Sequence, residues 1–245
     1  MKNMLRLDKI LAHMGFGTRK EVKLLVKRGK VTVDGQVVKD SGLQVNPSVS
    51  VIAVDGQPVR YREFVYIMMN KPAGVISASF DERQETVVDL LPEEYAPFEV
   101  FPVGRLDKDT EGLLLLSNDG KLAHELLSPN RHVPKTYFAL VEGQVTQEDV
   151  DFFKAGVALD DGYKTRPAEL VILERGDTSE IELTIHEGKF HQVKRMFEAT
   201  GKEVKYLKRL SMGSLKLDPE LGMGEFRELT DEELIALRSN EKPPI

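Results

Sequence analysis

The sequence predicts an α+β protein of two domains, a small one over residues 1–60 and a larger one over residues 65–238. Three observations predict it. Strand-like segments outnumber the helical ones, so no regular βαβ alternation is available to build a doubly wound sheet. The first thirty residues hold apolar positions at helical spacing rather than at strand spacing. Two Asp-Gly pairs, Asp34-Gly35 and Asp55-Gly56, each stand between short β-branched runs, as tight hairpins require.

In the small domain, Leu7, Ile10, Leu11 and Met14 recur at helical spacing until Gly15 and Gly17 break the pattern. Thr18 and Glu21 then have the form of a capping box that opens a second helix. Val22, Leu25 and Val26 are its apolar stripe, and Gly29 stops it. Val31–Val33 and Gln36–Val38 read as a hairpin about Asp34-Gly35. A further strand is expected over Val49–Val54, before Asp55-Gly56 and Pro58-Val59. Residues 60–64 read as a short linker.

In the larger domain, Val65–Met69 is expected as a strand and Asn70–Gly74 as a loop. Gly112–Ser117 is an apolar run, predicting a buried strand. Helices are expected over Lys121–Leu127, Thr146–Ala155, Gln192–Thr200 and Thr230–Leu237, and strands over Thr136–Val141 and Ile181–His186. Thr146 with Asp149, and Thr230 with Glu233, supply capping signals. The mixed sheet of this domain is expected to be mainly antiparallel.

Composition narrows the chemistry. The 245 residues contain no Cys, which excludes disulfide frameworks, thiol catalysis and Cys-based zinc sites. No run of about 18 apolar residues is present to span a membrane, and the charged start MKNMLRLDKI lacks the apolar core of a signal peptide. A cytoplasmic protein is the expectation. The formal net charge of −6 hides a polarity: residues 1–30 carry nine basic and two acidic side chains, +7 against −13 for the remainder. A concentrated basic end on an acidic protein points to a polyanion. A Lys-rich helix face in contact with water is the plainer account of a charge run taken alone.

The run Arg6-Leu7-Asp8-Lys9, followed by Gly17-Thr18-Arg19-Lys20 and by Gly29-Lys30-Val31 with Val33-Asp34-Gly35, resembles the S4 RNA-binding domain. The resemblance implies that two packed helices present Arg6, Lys9, Thr18, Arg19, Lys20, Lys23, Lys27 and Arg28 to RNA. A helix N-terminus flanked by cations suits phosphate, a contact that positions a protein without reading sequence.

The candidate chemistry lies just before the leucine run. Gly104-Arg105-Leu106-Asp107-Lys108-Asp109-Thr110-Glu111-Gly112 crowds three carboxylates and two cations into one loop. By spacing alone this is a charged turn, or with His124 a weak candidate for metal-assisted hydrolysis. Read as far as Gly120, however, it resembles the signature of the pseudouridine synthases of the RsuA family, which modify ribosomal RNA and carry an N-terminal S4 domain. Asn70-Lys71-Pro72 with Gly74, Lys135 with Tyr137, and Glu187-Gly188-Lys189 with His191-Gln192-Val193-Lys194-Arg195-Met196 match further motifs in the expected order.

That resemblance implies isomerisation of uridine: the N1–C1′ bond breaks, the base turns, and C5 joins C1′. Nothing is oxidised, hydrolysed or phosphorylated, so neither cofactor nor metal is implied. A carboxylate is the usual nucleophile at such a carbon, and the resemblance assigns it to Asp107. A dry pocket would raise a carboxylate's pKa and a neighbouring cation would counter that. Lys194 is the expected partner, with Arg195 as the second choice and Arg105 and Lys71 supporting the loop. Tyr137 is expected to stack on the everted uracil, with its hydroxyl available to relay the C5 proton. Residues 189–210, with seven basic and two acidic side chains, are expected to grip distorted RNA. The target implied is small-subunit (16S) ribosomal RNA, modified by a monomer, because residues 218–245 hold eight acids against three basic residues where large-subunit relatives often carry a basic extension. The alternatives are a large-subunit (23S) synthase and a non-catalytic RNA-binding or ribosome-assembly factor.

Overall fold

The structure, a computed structural model, describes residues 4–239. The chain divides into two compact units: the residues up to Val65 together with Pro92–Val100, and Tyr66–Leu91 together with the chain from Phe101 onward.

In the first unit, β1 (Leu5–Arg6) leads into α1 (Leu7–His13) and α2 (Arg19–Lys27). The helices are followed by β2 (Val31–Val33), β3 (Gln36–Val37), β4 (Gln44–Val45), β5 (Ile52–Val54) and β6 (Gln57–Val59). Leu7, Ile10 and Leu11 of α1 and Val22 and Val26 of α2 pack with Val31, Val45, Ile52 and Val54 as one core. The Thr18 capping box forms as the sequence predicts: the Glu21 carboxylate accepts from the Thr18 N–H at 2.7 Å, and the Thr18 hydroxyl accepts from the Glu21 N–H at 3.4 Å. Such a cap stabilises a helix by about 1 kcal/mol. Both Asp-Gly turns place two successive residues at positive φ, 53° and 78° at Asp34-Gly35 and 49° and 81° at Asp55-Gly56. That is the type I′ geometry favoured between twisted strands.

Two expectations for this unit need correction. The strand expected from Val49 begins only at Ile52, because the Asn46 carbonyl accepts from both the Val49 and Ser50 N–H groups in a turn. Residues 60–64 are not a free linker: the Tyr61 and His13 rings meet at a tilt with centroids 5.6 Å apart, and the Arg62 guanidinium lies 5.1 Å over the ring of Phe98. Phe98 closes a short 3-10 helix, Glu93–Phe98, that the chain returns to this unit.

The second unit contains β7 (Tyr66–Lys71), β8 (Phe101–Pro102), β9 (Glu111–Ser117), α3 (Gly120–Leu127), β10 (Lys135–Glu142) and α4 (Gln147–Ala155). There follow β11 (Glu169–Glu174), β12 (Thr178–Ile185), α5 (Gln192–Glu198), β13 (Glu203–Met212), β14 (Leu215–Lys216), β15 (Phe226–Glu228) and α6 (Asp231–Ser239). Its nine-stranded sheet runs β11-β12-β10-β13-β9-β7-β15, with β14 beside β13 and β8 beside β9. The fold is α+β with a mixed, mainly antiparallel sheet, as the sequence predicts. Among the described pairings between these strands, β13 with β9 is parallel and the rest are antiparallel.

The leucine run becomes β9, buried on both faces. On one face Leu113 and Leu115 pack with Leu122 and Leu126 of α3, Met212 and Leu237. The parallel contact explains a motif glycine. Gly112 pairs with Arg209 at φ +98°, and a Cβ there would collide with the Arg209 carbonyl oxygen. α6 is tied down by Arg238, which reaches the Tyr66 hydroxyl at 2.6 Å and the Asp119 carboxylate at 3.3 Å. Burial and the Asp119 carboxylate together push the Tyr66 hydroxyl up to about 12.

Several basic side chains of the 189–210 segment are committed within the protein. Arg209 is buried, Lys205 pairs with Glu142 and Glu203, and Lys202 pairs with Asp149. Among the described residues, no helix is long and apolar enough to cross a membrane.

Candidate active site

The Gly104–Thr110 loop is shaped from beneath by one lysine. Lys71, at the end of β7, is fully buried, and its ammonium donates to the carbonyls of Pro72 at 2.9 Å, Asp107 at 3.2 Å, Lys108 at 3.4 Å and Thr110 at 2.9 Å. Burial lowers its pKa to about 8, against the pull of Asp109, Glu111 and Asp107. Ser77 adds a second pin, accepting from the Leu106 N–H at 3.0 Å and donating to the Leu106 carbonyl at 2.9 Å. With the loop carbonyls turned inward, the Asp107 side chain lines a cavity of about 290 Å³. Arg105 also lines this cavity but is exposed, so the loop-holding role falls to Lys71 and Ser77.

The opposite wall comes from the Glu187–Lys194 stretch. Glu187 accepts from the Tyr163 hydroxyl at 2.6 Å, the Arg166 N–H at 2.9 Å and the Gln192 amide at 2.8 Å. His191 then enters α5 at φ 49°, which aims the helix at the loop. The Lys194 ammonium lies 3.5 Å from the Asp107 carboxylate, while His191 Nε2 lies 3.6 Å from its other oxygen. Lys194 is closer still to Asp109, at 2.7 and 2.8 Å, and that bond holds the Asp109 carboxyl below the usual carboxylate range. Thus Lys194 bridges two carboxylates instead of serving Asp107 alone. The Asp107 side chain is 28% exposed and that of Lys194 18%, so the pocket is wetter than the sequence reading supposed.

Tyr137, on β10, is buried and lines the same cavity. Arg195 does not approach Asp107 as a partner. Its guanidinium bonds to Asp160 at 2.6 Å and to Asp161 at 2.7 Å, because consecutive helical residues point about 100° apart. Sequence reasoning missed His191 and Asp109 as neighbours of the central pair, although both sit inside the motifs it quoted. It also missed Arg209, Thr110 and Lys135, which line the cavity floor.

In the first unit, Lys9, Thr18, Arg19, Lys20, Lys23, Lys27 and Arg28 are all exposed. Arg6 is held by Asp8 through two bonds, at 3.1 and 2.7 Å, and Thr18 is committed to its cap. Among the described residues, no three of His, Asp and Glu gather as they would around a metal ion. His124, the candidate third ligand beside Asp107 and Asp109, is exposed on α3.

A family model described as RNA pseudouridylate synthase matches residues 65–199, more than half of the chain. The chain belongs to the RNA pseudouridine synthases. A second model, the S4 domain, matches residues 5–51 of the synthase. An uncharacterised RNA pseudouridine synthase of Bacillus subtilis, YtzG, is 58% identical over 94% of this chain and 97% of its own length. The ribosomal large subunit pseudouridine synthase B of the same organism is 43% identical, with 96% of each chain covered. The ribosomal small subunit pseudouridine synthase A of Escherichia coli is 37% identical over 95% of this chain and 100% of its own. A crystal structure of a pseudouridylate synthase superposes with a TM-score of 0.67 at 34% identity, covering 95% of this chain and 99% of that one. Catalysis therefore replaces the reading of the chain as a binder alone, and isomerisation replaces hydrolysis.

Proposed function

We propose that the synthase isomerises one uridine of small-subunit (16S) ribosomal RNA, with Asp107 as the nucleophile, as a cytoplasmic monomer. The observation that carries the chemistry is the position of the Asp107 carboxylate, in a cavity it shares with Tyr137 and within 3.5 Å of the Lys194 ammonium. A single chain supplies all three groups. The target nucleotide leaves the stack at a cost of a few kcal/mol, which stacking on Tyr137 offsets by roughly 1–3 kcal/mol. Lys194 favours the ionised carboxylate that attack requires. Asp107 then adds to the nucleoside, the N1–C1′ bond breaks, C5 joins C1′ and loses its proton, and the Asp107 carboxylate is released as its bond to the nucleoside breaks. The exposed face of α2, with Arg19, Lys20, Lys23, Lys27 and Arg28, holds the RNA backbone.

The 16S target is supported by alignment across the whole of the small-subunit synthase A. The 43% identity to the large-subunit synthase B favours a second reading, a 23S target. Mapping pseudouridines in ribosomal RNA from cells with and without the protein tests both. Loss of one pseudouridine from 16S RNA is the expected result, loss from 23S RNA selects the second reading, and unchanged ribosomal RNA overturns both.

A further inference from the structure

The floor of the Asp107 cavity holds polar groups to which the scheme above gives no task. Arg209 is 2% exposed and spends its Nε on the Leu113 carbonyl at 2.7 Å, while its Nη2 is buried without a hydrogen-bond partner. Thr110, 1% exposed, has a buried hydroxyl in the same condition. Lys135 lies alongside, buried, with its ammonium on the Val133 carbonyl at 2.9 Å. All three line the cavity that Asp107 lines. Among the described residues, neither Arg209 nor Lys135 forms an ion pair. Buried polar groups are satisfied in nearly every folded protein, so unspent ones on a cavity wall mark a ligand's place.

We infer that Arg209 and Thr110 read the O4–N3–O2 edge of the uracil: the Arg209 Nη2 donates to a ring carbonyl, and the Thr110 hydroxyl accepts from N3–H. The inference rests on the family's isomerase reaction and not on which ribosomal subunit is the target. Arginine has donors only. It therefore matches a carbonyl and repels the exocyclic amino group that cytosine presents at the same place. The pair also suits the turn of the base. Rotation about the N3–C6 axis exchanges N1 with C5 and O2 with O4, and leaves N3–H where it was. An acceptor fixed on that axis and a donor fixed to one side of it make equivalent hydrogen bonds before and after a half-turn, the donor meeting one ring carbonyl first and the other afterwards. As the N1–C1′ bond breaks, its electron pair stays on the base. Two buried cations without counter-charges suit that charge.

An enzyme–substrate cycle tests this, with RNA carrying uridine, 2-thiouridine or 4-thiouridine at the target and Arg209→Met compared with the native enzyme. Sulfur is the poorer acceptor, and each carbonyl meets Arg209 on one side of the rotation. The native enzyme is expected to lose about tenfold or more in kcat/KM on each thio substrate. Arg209→Met should lose a similar factor on uridine and little further on either thio analogue. Penalties that multiply for both analogues would overturn the inference. Native activity on plain uridine RNA is the control, and its absence would strike the family reaction and not Arg209. If Arg209→Met fails to fold by thermal melting, a crystal structure of Asp107→Asn with uridine RNA decides. Nη2 within about 3.2 Å of a uracil oxygen supports the contact, and an Nη2 that meets no substrate atom ends it.

Discussion

In the first unit, Arg19, Lys20, Lys23, Lys27 and Arg28 stand exposed along and just beyond α2, and none forms an ion pair among the described residues. In the second unit, Lys194, Arg195, Lys202, Lys205 and Arg227 are each held by carboxylates, and Lys71 and Arg209 are buried on backbone carbonyls. The same residue types serve different ends. An unpaired surface cation keeps its freedom to displace the counterions of a polyanion, which gives affinity that salt removes. A paired or buried cation has a fixed position, and fixed position is what chemistry on one nucleotide needs. The density of basic residues in a sequence is therefore a poor guide to an RNA surface until their partners are known.

Lys194→Met should produce the largest change short of removing the nucleophile. Its removal leaves Asp107 and Asp109 without the cation they share, and single-turnover release of tritium from 5-tritiated uridine RNA should slow by about 10²–10³-fold. RNA affinity should change by about threefold or less. A variant that bound RNA poorly but reacted at the native rate once bound would move Lys194 into the class of the α2 cations.

Joint replacement of Arg19, Lys20 and Lys23 by Gln should do the reverse. Filter binding between about 50 and 200 mM salt should show affinity reduced at the lower end and the log–log salt slope smaller by about 2, with the rate at saturation unchanged. An unchanged slope would remove α2 from the RNA surface.

Tyr137→Phe sharpens the contrast inside the cavity. The stacking face stays, so affinity should hold, while tritium release slows by about tenfold if the hydroxyl relays the C5 proton. Full activity would leave Tyr137 with stacking alone.

The smallest effect is on stability. Lys71 titrates near 8 in the folded chain and near its ordinary, higher value when unfolded. Between those values the unfolded chain binds more protons, so this lysine makes stability rise as pH climbs from about 8 to about 10.5. Below pH 8 its penalty is present in full. Urea midpoints at pH 7.5 and pH 10 should show that rise reduced by roughly 1–3 kcal/mol in Lys71→Met relative to the native chain. Parallel curves would mean that Lys71 keeps its ordinary affinity for protons.

Local signals in the sequence carried far. The capping pairs at Thr18, Thr146 and Thr230 and the two Asp-Gly turns act within four residues of themselves, and each forms where it was expected. The commitments of the β13 cations were not legible because their partners are remote: Glu142 pairs with Lys205, and the Leu113 carbonyl accepts from Arg209. β1 and β4 are two residues each, too short for any periodicity. At the site, motifs named Asp107, Tyr137 and Lys194. The share that Lys194 gives Asp109, and the turning of Arg195 toward Asp160 and Asp161, depend on the entry angle of α5. His191 enters that helix at φ 49°, a conformation uncommon outside glycine and not fixed by a histidine in the sequence.

The loop holds two neighbouring carboxylates within reach of Lys194, and only Asp107 is proposed to form the bond. Single-turnover tritium release from 5-tritiated uridine RNA by Asp107→Asn and Asp109→Asn, side by side with their RNA affinities, tests that assignment most directly. Asp107→Asn should bind RNA as the native enzyme does and release no tritium above background, while Asp109→Asn should still turn its substrate over. Tritium released by Asp107→Asn at the native rate, or an inert Asp109→Asn beside an active Asp107→Asn, would contradict it.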